Sequence, residues 1–198
     1  MQSREFIEGR SESKGHIGIM FDIKKTFLLV IDVQGNLANR MHGKEVLFKN
    51  IKALIKAAEI FQLPVVYTEQ LPEKIGKTIP EIALMLKDLK PIEKQSFSCC
   101  VSQAFRREII QLNRKQVIVC GIETHVCVYQ TVADLLALKY KVEVVADAVA
   151  SRTLENKNIA LERIKSLGAG LTSTEMIACE LLKTAAHEKF KEILQLIK

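Results

Sequence analysis

Three short stretches of this chain carry side chains that could do chemistry together. "VCGIETHVCV" (Val119–Val128) sets a thiol, Cys127, shortly after Gly121, Glu123, Thr124 and His125. An apolar run that gives way to Gly and Thr reads as a strand turning into a helix. Thr124 is then placed to cap that helix, leaving Cys127 in its first turn. Free N–H groups and the positive end of the helix dipole there favour thiolate over thiol, the form that attacks an electrophilic carbon. The plainer reading is a small buried core residue, and Cys120 on the preceding run fits that description. "LLVIDVQGN" ends an apolar run in Asp32. A carboxylate there is either a general base on a rigid strand end or a turn residue capping local N–H groups, as Gly35 nearby allows. In "KPIEKQSFS", Lys94 on its own is an ordinary solvated charge. It gains interest from an acid and a thiol at the same sheet edge.

The elements that would bring them there alternate along the chain. "KTFLLVID" and "PVVYT" read as strands, as do "QVIVCGI", "KVEVVAD" and a short segment near Gly170–Leu171. Between them, Lys44–Gln62 has apolar residues at helical spacing, "PEIALMLKDL" opens with Pro and an acid as helices do, and Ser102–Leu112 reads as a further helix. "THVCVYQTVADLLALK" and "TLENKNIALERIKSL" read as helices too, and two more close the chain. Near-continuous apolar strands separated by helices predict a parallel sheet of six strands covered on both faces, an α/β/α sandwich. In such sheets ligands bind beyond the carboxyl ends of the strands, where Asp32, Lys94 and Cys127 are all expected.

Composition narrows the class further. At 198 residues the chain reads as one domain from residue 21 to 198, with residues 1–20 a polar, disordered extension. No apolar run approaches the ~20 residues of a membrane span, and the first residues lack the apolar core of a signal peptide. The net charge of +6 is spread over singly placed lysines, not gathered into the basic stripe that marks a nucleic-acid binder. Five cysteines, with no C-x-x-C, fit neither a disulfide framework nor a zinc site. A reducing compartment follows, most simply the cytoplasm. A mitochondrial location stays open, although Glu5, Glu8 and Glu12 are poor company for a transit peptide.

In order and spacing, "LLVIDVQ", "VVYTEQLPEKIG", "EKQSFS" and "VCGIETHVCV" resemble the isochorismatase-like cysteine hydrolases, in the branch of isochorismatase domain-containing proteins, from about Phe27 onward. The resemblance implies a six-stranded, Rossmann-like parallel sandwich, usually oligomeric, and a triad of Asp32, Lys94 and Cys127. Cys127 would attack a carbonyl carbon, Asp32 would take its proton, and Lys94 would hold both in register. Relatives carry a cis peptide where this chain has Ile122–Glu123, which would turn the Glu123 and Cys127 N–H groups toward a developing oxyanion. Gln34, Phe97, Thr124 and His125 are the expected pocket residues. His125, two positions before the thiol on a helix, faces a different way and is not its base. Two departures narrow the activity. "YTEQLPEKIG" lacks the D-x-H cluster of metal-bearing nicotinamidases, and His42 stands alone, so no metal or other cofactor is expected. A thiol at position 127 also argues against isochorismatase proper. The expected function is a metal-independent cysteine hydrolase acting on a small amide, ester or related C–N bond through a covalent acyl-cysteine intermediate. The alternative is a non-catalytic or redox-active oligomer of the same fold.

Overall fold

A computed structural model describes residues 21–197. The expected extension at residues 1–20 lies outside the described residues. Six parallel strands form one sheet: β1 (Thr26–Ile31), β2 (Val65–Gln70), β3 (Ile92–Lys94), β4 (Gln116–Ile122), β5 (Lys141–Ala150) and β6 (Gly170–Thr172). Their order is β3-β2-β1-β4-β5-β6. The chain steps outward from β1 to β2 and β3, crosses back, and resumes at β4 on the other side of β1. Connections therefore leave β1 and β4 in opposite directions, which opens a crevice at their carboxyl ends.

Alternation along β1 shows how both faces are filled. Leu28 and Val30 point into one core, and Phe27, Leu29 and Ile31 into the other. The first core is closed by α1 (Lys44–Phe61), by α5 (Thr174–Leu182) through Ile177 and Leu181, and by α6 (Phe190–Leu196) through Ile193. The second is closed by α2 (Gln103–Gln111) through Phe105 and Ile109, by α3 (Tyr129–Ala137) through Val132 and Leu135, and by α4 (Leu154–Ser166) through Ile164. The three-layer α/β/α sandwich is the expected one.

Several local expectations change. The expected helix "PEIALMLKDL" is a single α-turn, Pro80–Ala83, followed by a 3₁₀ turn, Leu84–Leu86. The sixth strand is β3, three residues of mixed polarity with no apolar run to announce them, and it places Lys94. The helix expected from Thr124 begins as a π-helical turn over Thr124–Val128 and becomes α-helical at Tyr129. Thr124 does not cap it: its hydroxyl is buried with no hydrogen-bond partner. Gly121, at φ +119°, lets the end of β4 press against β1, since a Cβ there would lie 2.1 Å from the Ile31 carbonyl oxygen.

Candidate active site

Each candidate side chain sits at or beyond a strand end. Asp32 follows β1 directly, with φ at +48°, in the left-handed region that Asp tolerates better than most residues. Its carboxylate is buried and bound on both oxygens: Thr68 Oγ1 donates to Oδ1 at 2.7 Å and Lys94 Nζ to Oδ2 at 2.5 Å. Thr68 is in register with Ile31, so the β1–β2 pairing itself delivers this hydroxyl. Lys94 is in register with Gln70 of β2, which places the two side chains side by side. The Lys94 ammonium also donates to Gln70 Oε1 at 3.1 Å and to the carbonyls of Ser96 and Phe97 at 3.1 and 3.2 Å. The Lys94 side chain is 0% exposed, and these oxygens compensate the burial of its charge.

Cys127 faces this group from the π-helical turn. Its Sγ donates to Gln70 Oε1 at 3.1 Å, so one amide oxygen joins the thiol and the ammonium. That sharing fixes the Gln70 amide, because an Nε2 in the same place would meet two donors. Gln34 anchors the backbone beneath. It accepts from Gln70 N at 2.6 Å and donates to the carbonyls of Gly76 and Gln70 at 2.6 and 3.2 Å. The loop after β2 is pinned again by Glu69, whose buried Oε1 accepts from the N–H and hydroxyl of Thr78, each at 2.7 Å.

A cavity of about 140 Å³ opens over these groups, lined by Asp32, Gln34, Gln70, Glu123 and Cys127 with Leu37, Ile75, Phe97, Ile122 and Val126. Lys94 stands behind Asp32 and Gln70, outside the lining. The Ile122–Glu123 peptide is cis. Glu123 Oε2 accepts from the N–H and Nε of Arg152 at 3.0 and 3.1 Å. Of the four expected pocket residues, Gln34 and Phe97 line the cavity, whereas Thr124 and His125 do not. They precede Cys127 by three and two positions and project from other sides of the turn. His125 Nδ1 instead lies 2.9 Å from Ser151 Oγ. Thr68 and Gln70 join the site without having been singled out by residue type: Thr68 is an ordinary strand residue in "PVVYT", and Gln70 lies past the expected strand end, whereas β2 continues to Gln70.

The thiol's ionisation corrects a second expectation. Burial first, and then the charge of Asp32, push the Cys127 thiol up, as does a hydrogen bond to that carboxylate. Lys94 pulls the other way without prevailing, since its ammonium already sits on Asp32. Cys127 therefore rests as a thiol with its proton directed at acceptors, not as the thiolate expected from a helix start. Burial also pushes Cys99 up to about 11 and Cys100 up to about 12. Among the described residues no group of three or more His, Cys, Asp or Glu could hold a metal ion, and no helix is long and apolar enough to cross a membrane.

Comparison with known proteins bears on the same residues. The model of the isochorismatase domain matches residues 26–176, a span that contains every side chain of the site. The chain is 39% identical to the secreted isochorismatase effector Isc1 of Phytophthora sojae (strain P6497) over 86% of its length and 83% of that protein's. It is 33% identical to isochorismatase domain-containing protein 2 of Danio rerio, over 96% of this chain and 90% of the relative. A solved structure, the MAR1 ribonuclease of Caenorhabditis elegans, superposes with a TM-score of 0.83 at 35% identity, covering 90% of this chain and 92% of that one. By family model, sequence and fold together, this chain belongs to the isochorismatase family.

Proposed function

We propose that the protein is a metal-independent cysteine hydrolase that cleaves a small amide or ester through an acyl-Cys127 intermediate. The observation that carries the reading is the bonded chain Lys94–Asp32 and Lys94–Gln70–Cys127, assembled from the ends of three strands and the turn after a fourth, against one cavity wall. In the proposed cycle Asp32 takes the Cys127 proton as Sγ bonds to the carbonyl carbon. The carbon–nitrogen or carbon–oxygen bond then breaks, and the proton on Asp32 leaves with the amine or alcohol. Water next loses a proton to Asp32 and attacks the thioester, releasing the acid and restoring the thiol. Lys94 holds the Asp32 carboxylate in place between steps through its bond to Oδ2. The backbone N–H groups of Glu123 and Cys127 are the proposed donors to the oxyanion.

A thiol raised by burial suits this division of labour. The nucleophile is generated when substrate is in place, instead of standing as an exposed thiolate open to oxidants. That favours acyl transfer over a redox-sensing role. The ribonuclease name of the C. elegans relative raises phosphodiester cleavage as a second reading. Among the described residues lining the cavity none is basic, which suits a neutral acyl group better than a polyanion. Homo-oligomerisation is proposed as well, with the half-exposed Phe97 at the cavity mouth available to a neighbouring copy; light scattering on a sizing column reads the mass directly. The hydrolase reading is tested by screening short amides and esters against wild type and Cys127→Ala. Turnover by wild type and loss of at least about a thousandfold in the variant is expected, in line with removal of a nucleophile. Equal rates would discard the reading.

A further inference from the structure

A carboxylate that acts as a base must present a vacant lone pair to the proton it takes. The aspartate side chain does not fix that direction by itself, because its last torsion is broad and roughly two-fold. Lys94 bonds to Oδ2 alone, and one donor on one oxygen leaves the carboxylate free to swing about that contact. A second donor on the other oxygen fixes the plane. Thr68 supplies it, with its hydroxyl 2.7 Å from Oδ1. An ionised carboxylate has about four lone-pair sites, so sites remain for a further proton. A hydrogen bond joins the Cys127 thiol to the same carboxylate.

Thr68 grips Asp32 twice. Its carbonyl accepts from Asp32 N at 3.2 Å, so one residue fixes both backbone and side chain. That matters at a position whose φ of +48° lies in the left-handed region. Thr68 is buried and does not line the cavity, so it meets Asp32 and not the ligand. The hydroxyl is oriented from behind. Cys99 Sγ lies 3.8 Å from Thr68 Oγ1 as a donor, and Cys99 is itself anchored by its N–H on Thr131 Oγ1 at 3.0 Å. Burial, and then the charge of Asp32, push the Cys99 thiol up to about 11, so it keeps its proton near neutral pH. With a donor behind it, the Thr68 hydroxyl turns its own proton onto Asp32.

We propose, on the acyl-transfer reading of the site, that Thr68 is a positioning residue: its hydroxyl, backed by Cys99, fixes the plane of the Asp32 carboxylate so that a lone pair faces the Cys127 proton. In the step itself the S–H bond breaks, its proton joins an Asp32 oxygen, and the sulfur electron pair bonds to the carbonyl carbon. Thr68 and Cys99 keep their own protons throughout.

Thr68→Val keeps the branched shape and deletes the hydroxyl, whereas Thr68→Ser keeps the hydroxyl and deletes the methyl. Crystal structures of wild type and Thr68→Val read the positioning directly. The Asp32 carboxylate is expected to turn by at least about 30° in the variant. On a short amide or ester that the wild type cleaves, Thr68→Val should lower kcat at least about tenfold with KM within about threefold, and Thr68→Ser should recover to within about threefold. In an Asp32→Asn background, adding Thr68→Val should change the residual rate by less than about twofold, because Thr68 acts through Asp32. If Thr68→Val does not fold, Thr68→Ala set against Thr68→Ser isolates the same hydroxyl in both measurements. An unmoved carboxylate, an unchanged kcat, no recovery in Thr68→Ser, or the full loss repeated in the Asp32→Asn background overturns the proposal. A wild type that cleaves no amide or ester removes the hydrolase reading, and the plane of Asp32 in the variant then decides the positioning role. Turnover with an unmoved plane keeps that reading and removes the role of Thr68.

Discussion

Replacing Lys94 by Met tests the electrostatic frame of the site most severely. Met keeps most of the buried stem and deletes the ammonium. Two unit charges 2.5 Å apart attract by about 7 kcal/mol at an effective dielectric of about 20, before the cost of desolvating both. Removing one member of such a buried pair leaves the other charge uncompensated and costs about 3–5 kcal/mol. The variant also strands the carbonyls of Ser96 and Phe97, which accept from this ammonium, and takes from Gln70 Oε1 one of its two donors. Asp32→Asn in the same chain removes the orphaned charge. The double variant is therefore expected to recover about 1–3 kcal/mol relative to Lys94→Met alone, against the sum of the single changes. Urea unfolding followed by far-UV circular dichroism measures all four corners of the cycle. A loss below about 1 kcal/mol in Lys94→Met, or simple additivity in the double variant, would refute the argument that this pair is a coupled, desolvated unit.

Other expectations follow from the same geometry. Iodoacetamide should alkylate Cys127 slowly near neutral pH and faster as pH rises past the ordinary thiol range, because burial and Asp32 hold the proton on sulfur; a fast reaction below about pH 8 would contradict that order. Stability should fall in alkali. Cys99 and Cys100 are raised from an ordinary 9.0 to about 11 and about 12, so above pH 9 the unfolded chain sheds protons that the native state keeps. The unfolded state then binds fewer protons, and each thiol lowers stability by up to about 1.4 kcal/mol per pH unit until its folded value is passed. Urea midpoints that stay level across that window would contradict this. Gln70→Leu should leave the fold within about 3 kcal/mol of wild type and lower kcat/KM at least about tenfold, since one oxygen holds both the thiol and the ammonium; unchanged kinetics would demote Gln70 to scaffold. Gly121→Ala should destabilise by about 3 kcal/mol or more, because its Cβ meets the Ile31 carbonyl and its φ is left-handed; a melting curve matching wild type would contradict the close β1–β4 approach.

How far the sequence reading reached depends on how loudly each element is written. β1 and β4 are unbroken apolar runs buried on both faces, so Asp32 and the turn before Cys127 could be located at their ends. β3 is three residues at the sheet edge with mixed polarity, and nothing in "IEK" distinguishes it from loop. Lys94 could be singled out only by the company it keeps. Gln70 was hidden because β2 ends in polar residues: Thr68, Glu69 and Gln70 are all buried, yet they read as the loop that follows an apolar strand. Their alternation was the available signal, with Thr68 and Gln70 on one face beside Asp32 and Lys94. The state of the thiol could not be read at all. It depends on whether Lys94 spends its charge on sulfur or on Asp32, and that is settled by register, not by residue type.

The most direct test of the account is to catch the intermediate. Wild-type protein mixed with a short amide or ester substrate and quenched in acid within the turnover time should carry one added acyl group. Fragmentation should place it on Cys127 within Gln116–Lys139, clear of Cys120. The adduct should vanish on standing before the quench and be absent from Cys127→Ala. Turnover that persists in Cys127→Ala, or an acyl group found on a different residue, would contradict the assignment of Cys127 as nucleophile.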